Sequence, residues 1–257
     1  TAVGANALDN TTTGADNTAV GSGALSANVT GRYNTAMGYQ AMFANVDKQE
    51  STAIGYWAMR YADSGASAVT ANTAVGAYAL AGSATPANNT GTSNNAFGHS
   101  ALSGNTDGVQ NVAIGQQALL ANTTGDQNTA IGHQALLTNI TGGQNTALGA
   151  YALYTTTTDG STAVGYTALT SATSGVNVAV GSNAGEFVLS GHLNTAMGYS
   201  AMRGVTGNRL TGNNNTAIGT NALYILQGTA ANNTALGFQA GDSITTGAAN
   251  ILIGYDV

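Results

Sequence analysis

The fold of this chain is decided by a nine-residue stretch that returns along its length, and its fullest copy is Asn128-Thr129-Ala130-Ile131-Gly132-His133-Gln134-Ala135-Leu136. Each copy is marked by a glycine that follows an apolar residue, and this marker glycine stands at fifteen places: Gly4, Gly21, Gly38, Gly55, Gly76, Gly98, Gly115, Gly132, Gly149, Gly165, Gly181, Gly198, Gly219, Gly237 and Gly254. Successive marker glycines are 16 to 22 residues apart, and 17 is the commonest spacing. A fixed period of this kind indicates a repeat architecture, in which each copy is one unit stacked on the next.

The positions around the marker glycine are nearly constant from copy to copy. The residue before it is apolar in all fifteen copies, and alanine stands three places after it in all fourteen complete copies. Leucine or methionine follows that alanine in twelve copies, and a second, upstream glycine lies seven places before the marker glycine in nine. Asparagine stands four places before the marker glycine in twelve of fourteen copies, and we expect a structural ladder at Asn17, Asn34, Asn72, Asn111, Asn128, Asn145, Asn194, Asn215 and Asn233.

These features predict an all-β fold, a parallel β-solenoid (β-roll) of about fifteen 17-residue coils in a single repeat domain that spans residues 1–257. A unit of 17 residues with two glycines is too short for a helix-turn-helix repeat, and β-branched residues oppose a helix. In a strand formed by Thr129-Ala130-Ile131-Gly132, the threonine and the isoleucine share one face, and the alanine and the glycine share the other. We expect the first face to pack a core and the second to admit a close neighbour, which is either a partner chain or the chain's own second strand.

The rest of each coil is expected to hold a second strand, a corner and the ladder. The Ala-Leu pair predicts a second short strand after a turn, and the upstream glycine predicts a corner with positive φ. Stacked coils place equivalent asparagines about 4.8 Å apart, so their amides can hydrogen-bond to one another. The same stacking brings like charges together, which explains a charged fraction of only 6%.

The composition excludes several classes of function. The five basic residues are scattered and the net charge is −6, so nucleic acid and lipid surfaces are not expected partners. The chain has no cysteine and no run of about 18 apolar residues, so we expect neither thiol chemistry nor direct membrane insertion. The three histidines form no metal set, and the sequence contains neither a nucleophile elbow nor a catalytic pair of carboxylates. We therefore expect no enzyme activity and no cofactor.

The Asn-Thr-Ala-Val/Ile-Gly pattern resembles the head repeats of YadA-type trimeric autotransporter adhesins, which have a Ser-Val-Ala-Ile-Gly core. It is similar also to the Asn-Thr-Ala-Ile-Gly-x-x-Ala-Leu repeat shafts of bacterial surface proteins and phage tail fibres. The resemblance runs from Thr1 to Gly254 and implies a β-roll that forms a homotrimer through its small-residue face. Replacing Ala130 and Ala147 by leucine would then abolish oligomerisation.

The resemblance also implies a function. The chain would be a segment of a structural and adhesive fibre, located outside the cell on a cell surface or a virion. This segment would either project a receptor-binding head or form the head or shaft itself. The implied partners are the chain itself and a host-surface glycan or protein receptor.

Two features mark candidate binding sites. Insertions lengthen the coils near residues 61–71, 81–93 and 203–214, and insertions in a solenoid form loops that often line a binding face. An aromatic residue or a histidine follows the marker glycine in eight copies, and such rings stack on sugar faces. The aromatic residues that we expect to contact a glycan ligand are Tyr39, Tyr56, Trp57, Tyr166, Tyr199 and Tyr255. The alternatives are that the loops are merely tolerated and that the rings pack between chains.

Two other functions fit the repeat. The chain begins and ends inside a copy, and uncapped solenoid ends stick to each other. We therefore expect either a segment of a longer chain or a subunit that stacks end to end into a self-assembling extracellular filament. A row of threonines at one repeat position is also typical of an ice-binding solenoid, although four copies lack the threonine and alternation places the row on the expected core face.

Overall fold

The computed structural model describes residues 1–61, 69–84 and 89–257, and it divides the chain into two compact units, Thr1–Asn128 and Thr129–Val257. The first unit contains β1 (Ala2–Val3), β2 (Thr18–Val20), β3 (Thr35–Met37), β4 (Thr52–Ile54), β5 (Thr73–Val75), β6 (Asn95–Phe97) and β7 (Val112–Ile114). The second contains β8 (Thr129–Ile131), β9 (Thr146–Leu148), β10 (Thr162–Val164), β11 (Val178–Val180), β12 (Thr195–Met197), β13 (Thr216–Ile218), β14 (Thr234–Leu236) and β15 (Ile251–Ile253). None of the described residues lies in a helix that is long and apolar enough to cross a membrane.

Within each unit, every strand pairs in parallel with the next strand along the chain, which confirms the predicted parallel β-solenoid. Strands β2 and β3 pair Ala19 with Ala36, and β8 and β9 pair Ala130 with Ala147. Equivalent residues of successive copies therefore lie side by side. A shift of one residue would turn every side chain to the other face, so the repeat fixes the register strongly.

Alanines and leucines build the core of each unit, and the larger apolar residues before the marker glycines do not. Ala36 and Ala130, at the centres of β3 and β8, are fully buried, as is Leu136 from the turn after β8. The apolar neighbours in the strands point outward, since Met37 is 42% and Leu148 is 44% exposed. The expectation that the threonine and apolar face packs the core is therefore wrong.

The short coil explains which face turns inward. A coil of about 17 residues encloses little space, and interiors are close-packed, so only a methyl group fits behind the strand while leucine fills the rest. The small-residue face consequently lies inside each unit, and both Ala130 and Ala147 are 0% exposed. Of the two neighbours that the sequence allows for this face, the burial favours the chain itself and contradicts the contact between chains that the resemblance implies.

A turn follows each marker glycine in place of the second strand that the sequence predicts. Gln134 has a φ of 55° and Leu136 a φ of 52°, both in the left-handed region. Hydrogen bonds between coils continue through the turn, and the N–H of Leu136 donates to the carbonyl oxygen of Ala152 at 3.0 Å. The left-handed conformation costs on the order of 1 kcal/mol, whereas burying the leucine side chain contributes about 2 kcal/mol. The prediction of a second strand is therefore wrong, because the buried leucine selects a turn.

Glycine is required at two positions of the coil for different reasons, a positive φ at one and a close backbone approach at the other. The marker glycine carries the positive φ, which is 130° at Gly21. The upstream glycine at Gly14 does not have a positive φ, so the predicted left-handed corner there is wrong. A Cβ atom on Gly14 would lie 2.6 Å from the carbonyl oxygen of Gly31 in the next coil, and this close approach excludes any side chain.

Candidate functional site

The asparagines before the strands join neighbouring coils through buried hydrogen bonds. The Oδ1 atom of Asn17 accepts the backbone N–H of Asn34 at 2.9 Å, and its Nδ2 atom donates to the carbonyl oxygen of Gly31 at 2.7 Å. The same pair of bonds to the following coil occurs at Asn34, Asn72, Asn111, Asn145, Asn194, Asn215 and Asn233. Asn128 donates its backbone N–H and its Nδ2 to Asn111 Oδ1. These amides connect neighbouring coils, and because they are buried they are not accessible to a ligand.

A second set of buried asparagines lies seven residues after the marker glycines. The Nδ2 atom of Asn122 donates to Asn105 Oδ1 at 2.9 Å and to the carbonyl oxygen of Gly125 at 3.0 Å. Asn28 and Asn139 are fully buried as well. Asparagine recurs at this position, so the sequence contains a signal for the second set. The predicted ladder contains only the asparagines before the strands.

The outward face of the strands carries one apolar side chain per coil, which we call the apolar row. Its members stand directly before the marker glycines, and the exposed ones are Val3, Met37, Ile54, Phe97, Ile114, Leu148, Met197, Ile218, Leu236 and Ile253. Large contiguous patches of exposed apolar side chains are uncommon on monomeric proteins.

Five rings of the first unit adjoin one another, and we call Tyr39, Tyr56, Trp57, Tyr78 and His99 the aromatic cluster. The Tyr56 ring stacks on that of Tyr39 with centroids 5.4 Å apart and on that of Trp57 at 5.2 Å. The Tyr78 ring meets Tyr56 edge-on at 5.5 Å, and His99 meets Tyr78 at 5.7 Å. Tyr39 is 46% exposed and Tyr56 43%, so the cluster lies at the surface.

A cation completes this surface. The Cζ atom of Arg60 lies 3.6 Å from the ring centroid of Trp57 and 5.0 Å from that of Tyr61. In the part of the chain that the structure describes, Arg60 forms no ion pair with a carboxylate. Asn89 fixes the backbone beside it, because its Nδ2 atom donates to the carbonyl oxygen of Tyr61 at 2.5 Å.

The two insertions near 61–71 and 81–93 leave the coils beside the aromatic cluster, directly after Arg60 and three residues after Tyr78. Residues 62–68 and 85–88 of these loops lie outside the described residues.

The surroundings of Tyr56 raise the pKa of its phenol. Partial desolvation, followed by the nearby Tyr78 and Tyr39 phenols, raises the pKa of Tyr56, and the charge of Arg60 opposes this only in part. A side-chain hydrogen bond with Tyr78 acts in the same direction, so the Tyr56 hydroxyl is engaged with a neighbouring phenol of the cluster.

The other predicted ligand-contact residues do not join this cluster. Tyr166 meets Tyr151 edge-on with centroids 6.0 Å apart in the second unit, and Tyr255 stacks on Phe238 at 5.0 Å. Tyr199 is 58% exposed and has no ring against it among the described residues. Of the six candidate aromatics, only Tyr39, Tyr56 and Trp57 come together.

The third insertion, near 203–214, begins at an ion pair. Arg203 Nε donates to Glu186 Oε2 at 2.6 Å, and its Nη1 donates to the Tyr224 hydroxyl at 2.9 Å. The hydrogen bond with Glu186 raises the pKa of Arg203 further, so this guanidinium is already used by the chain's own groups. Among the described residues no group of three or more His, Cys, Asp or Glu side chains is arranged to hold a metal ion.

Comparison of the chain with models of known protein families, with curated proteins and with solved structures gave no match.

Proposed function

We propose that this chain is a segment of an extracellular structural and adhesive fibre, on a cell surface or a virion, in which copies of the solenoid associate into a homotrimer and present a receptor-binding surface. The observation that carries the proposal is the apolar row. A single chain leaves Leu148, Met197 and Leu236 of this row 44%, 45% and 46% exposed, although its core is fully packed.

Association of copies through the apolar row would remove this surface from water. Burial of apolar surface contributes about 25 cal/mol per Å², and a row with one large side chain per coil accumulates that gain regularly along each unit. Another copy of the chain has the same spacing between its coils, so its row stays in step along each unit. The surface used is the outward threonine and apolar face, in place of the small-residue face that the resemblance implies.

The test is the native mass of the purified chain, measured by light scattering after size exclusion, with negative-stain microscopy of the same fraction. We expect three times the chain mass of 25.3 kDa. The double variant Leu148→Asp and Met197→Asp should reduce the mass to that of one chain, because it places carboxylates in the row. The control Thr157→Asp changes an exposed residue outside the strands and should leave the mass unchanged.

Two results would contradict the trimer. A single-chain mass for the unmodified protein at micromolar concentration would remove the association. Long heterogeneous polymers would replace the trimer by the end-to-end filament.

An ice-binding face is the second candidate, because the threonine row lies on the outward face and not on the core face where alternation was expected to place it. Thr146 and Thr234 of this row are exposed. The neighbouring apolar row opposes a flat surface, since valine, methionine and phenylalanine differ in length at Val20, Met37 and Phe97. We expect no thermal hysteresis in a cooled solution of the protein, and a clear hysteresis would put ice binding in place of the fibre.

A further inference from the structure

We infer that the aromatic cluster together with Arg60 binds an acidic saccharide, and this inference rests on the proposed adhesive function by naming the ligand class of its receptor-binding surface. The cluster brings together five adjoining rings and a cation, and two insertions leave the solenoid beside it. Insertions in repeat proteins map to loops on one face, and this is often the binding face. Ring contacts and loop position are independent observations, and both indicate the same place.

The cluster leaves a ring face open. Tyr39 stacks on Tyr56 in the following coil, and the equivalent residue of the preceding coil is Ser22, which has no ring. Tyr39 accordingly keeps 46% of its surface in water. The C–H face of a sugar ring is apolar and matches such a surface, since aromatic rings gain by covering apolar area and keep polar groups at their edges.

Polar groups surround the rings, as recognition of sugar hydroxyls requires. The Tyr56 and Tyr78 phenols interact with each other, and a phenol can both donate and accept hydrogen bonds. The Nδ1 atom of His99 and the Ser100 hydroxyl form a hydrogen bond of 3.1 Å. This bond is exposed, so it adds polar atoms at the edge of the cluster. A few convergent polar groups on an apolar surface are the usual composition of a small-ligand site.

The charge of Arg60 selects the acidic member of this ligand class. The guanidinium lies on the Trp57 ring, which orients it, and no carboxylate of the described residues pairs with it. Planar guanidinium groups bind carboxylates through two parallel hydrogen bonds. A uronic acid unit combines a carboxylate with a pyranose C–H face, so it matches both parts of the surface.

Binding is measured with tetragalacturonate as the acidic probe and cellotetraose as the neutral one. Trp57 is the only tryptophan of the chain, so its fluorescence reports occupancy of the cluster directly. We expect a saturable change with tetragalacturonate that weakens as salt is added, and an at least tenfold weaker response to cellotetraose. Calorimetry gives the affinity independently of the fluorescence.

Three variants locate the site. Arg60→Gln and Tyr39→Ala should each lower the affinity for tetragalacturonate by about tenfold, since each removes one charge-assisted or stacking contact. Tyr199→Ala is the matched control, because Tyr199 holds the same repeat position as Tyr39 but no ring of the described residues lies against it. It should leave the affinity unchanged, and circular dichroism should show that all three variants keep the fold.

Several results would overturn the assignment. The absence of a saturable change would remove the site, equal affinity for the two probes would remove the role of Arg60, and a loss in Tyr199→Ala equal to that in Tyr39→Ala would place binding elsewhere. A reduced native mass for Tyr39→Ala would show that the cluster packs between chains. The mass of the unmodified protein is read separately, so a trimer that binds no acidic probe refutes this site alone, and a binding monomer refutes only the proposed trimer.

Discussion

The Oδ1 atom of Asn17 accepts the backbone N–H of Asn34, the residue that holds the same place one coil later, at a distance of 2.9 Å. The bond joins a side chain to the backbone of the next copy, so it satisfies a buried N–H where no strand pairing does. Loss of such an amide leaves polar groups of two coils without partners, which is far more costly than the net value of one hydrogen bond.

Replacement of Asn215 by alanine should therefore be strongly destabilising. Asn215 is fully buried, accepts the N–H of Asn233 at 3.1 Å and donates to the Ala230 carbonyl oxygen at 2.9 Å. We expect a loss of about 3 kcal/mol in the free energy of unfolding, measured by urea denaturation followed by circular dichroism. Asn208→Ala, at an exposed position of the same unit, should change it by less than about 0.5 kcal/mol. Equal losses in the free energy of unfolding for the two substitutions would show that the buried amide does not stabilise the fold.

A methyl group on an upstream glycine should not be accommodated. A Cβ atom at Gly142 would lie 2.5 Å from the carbonyl oxygen of Thr158, which belongs to the backbone of the next coil. Gly142→Ala should cost about 3 kcal/mol or more, seen as a lower melting temperature. Gly207→Ala is the control, because a Cβ atom there meets nothing within 4 Å. It should leave the melting temperature unchanged or raise it slightly, and a similar drop in both variants would contradict the close approach as the cause.

The alanines of the strands should respond as core residues. Ala147→Leu inserts three carbon atoms into a packed interior, and we expect it to lower the free energy of unfolding by about 1–3 kcal/mol or more. The control Ala150→Leu lies on the half-exposed surface just after Gly149 and should be tolerated. A folded, fully stable Ala147→Leu protein that has only lost its oligomeric state would restore the small-residue face as the interface.

The phenol of Tyr56 should titrate above its ordinary value of 10.0, because desolvation and the neighbouring phenols raise its pKa. The folded state then holds the proton more tightly than the unfolded state. Its contribution to stability is complete below the ordinary tyrosine pKa and is lost as the pH rises through the folded pKa. Ultraviolet absorbance titration of Tyr56→Phe should lack the latest-titrating phenol, whereas Tyr199→Phe should retain it.

The period of the sequence predicts the strands and their register, because equivalent residues such as Ala130 and Ala147 can pair only if whole copies stack. Alternation identifies two strand faces but not which one turns inward. That choice follows from the space inside the coil, which admits the Ala130 methyl group and the Leu136 side chain and not the Ile131 side chain. The left-handed Leu136 was equally beyond prediction, since its intrinsic preference opposes the conformation that its burial requires.

The candidate site, too, is only partly predictable from the sequence. The sequence shows that Tyr39 and Tyr199 hold the same repeat position, and it therefore predicts the same role for both. Their surroundings differ because the neighbouring coils place Tyr56 beside Tyr39, but Ser182 and Thr220 beside Tyr199. Contacts between neighbouring coils of one chain thus distinguish residues that hold the same position in the repeat.

Strands β4 and β5 pair Thr52 with Thr73 across 21 residues, in the same register in which β3 and β4 pair Thr35 with Thr52 across 17. The interval between β4 and β5 is four residues longer, and the strand register on either side of it is unchanged. The repeat therefore accepts a segment of different length between two successive strands while the neighbouring strands keep their alignment. Variants that carry new surface segments can arise by single local insertions, with no compensating change elsewhere in the chain.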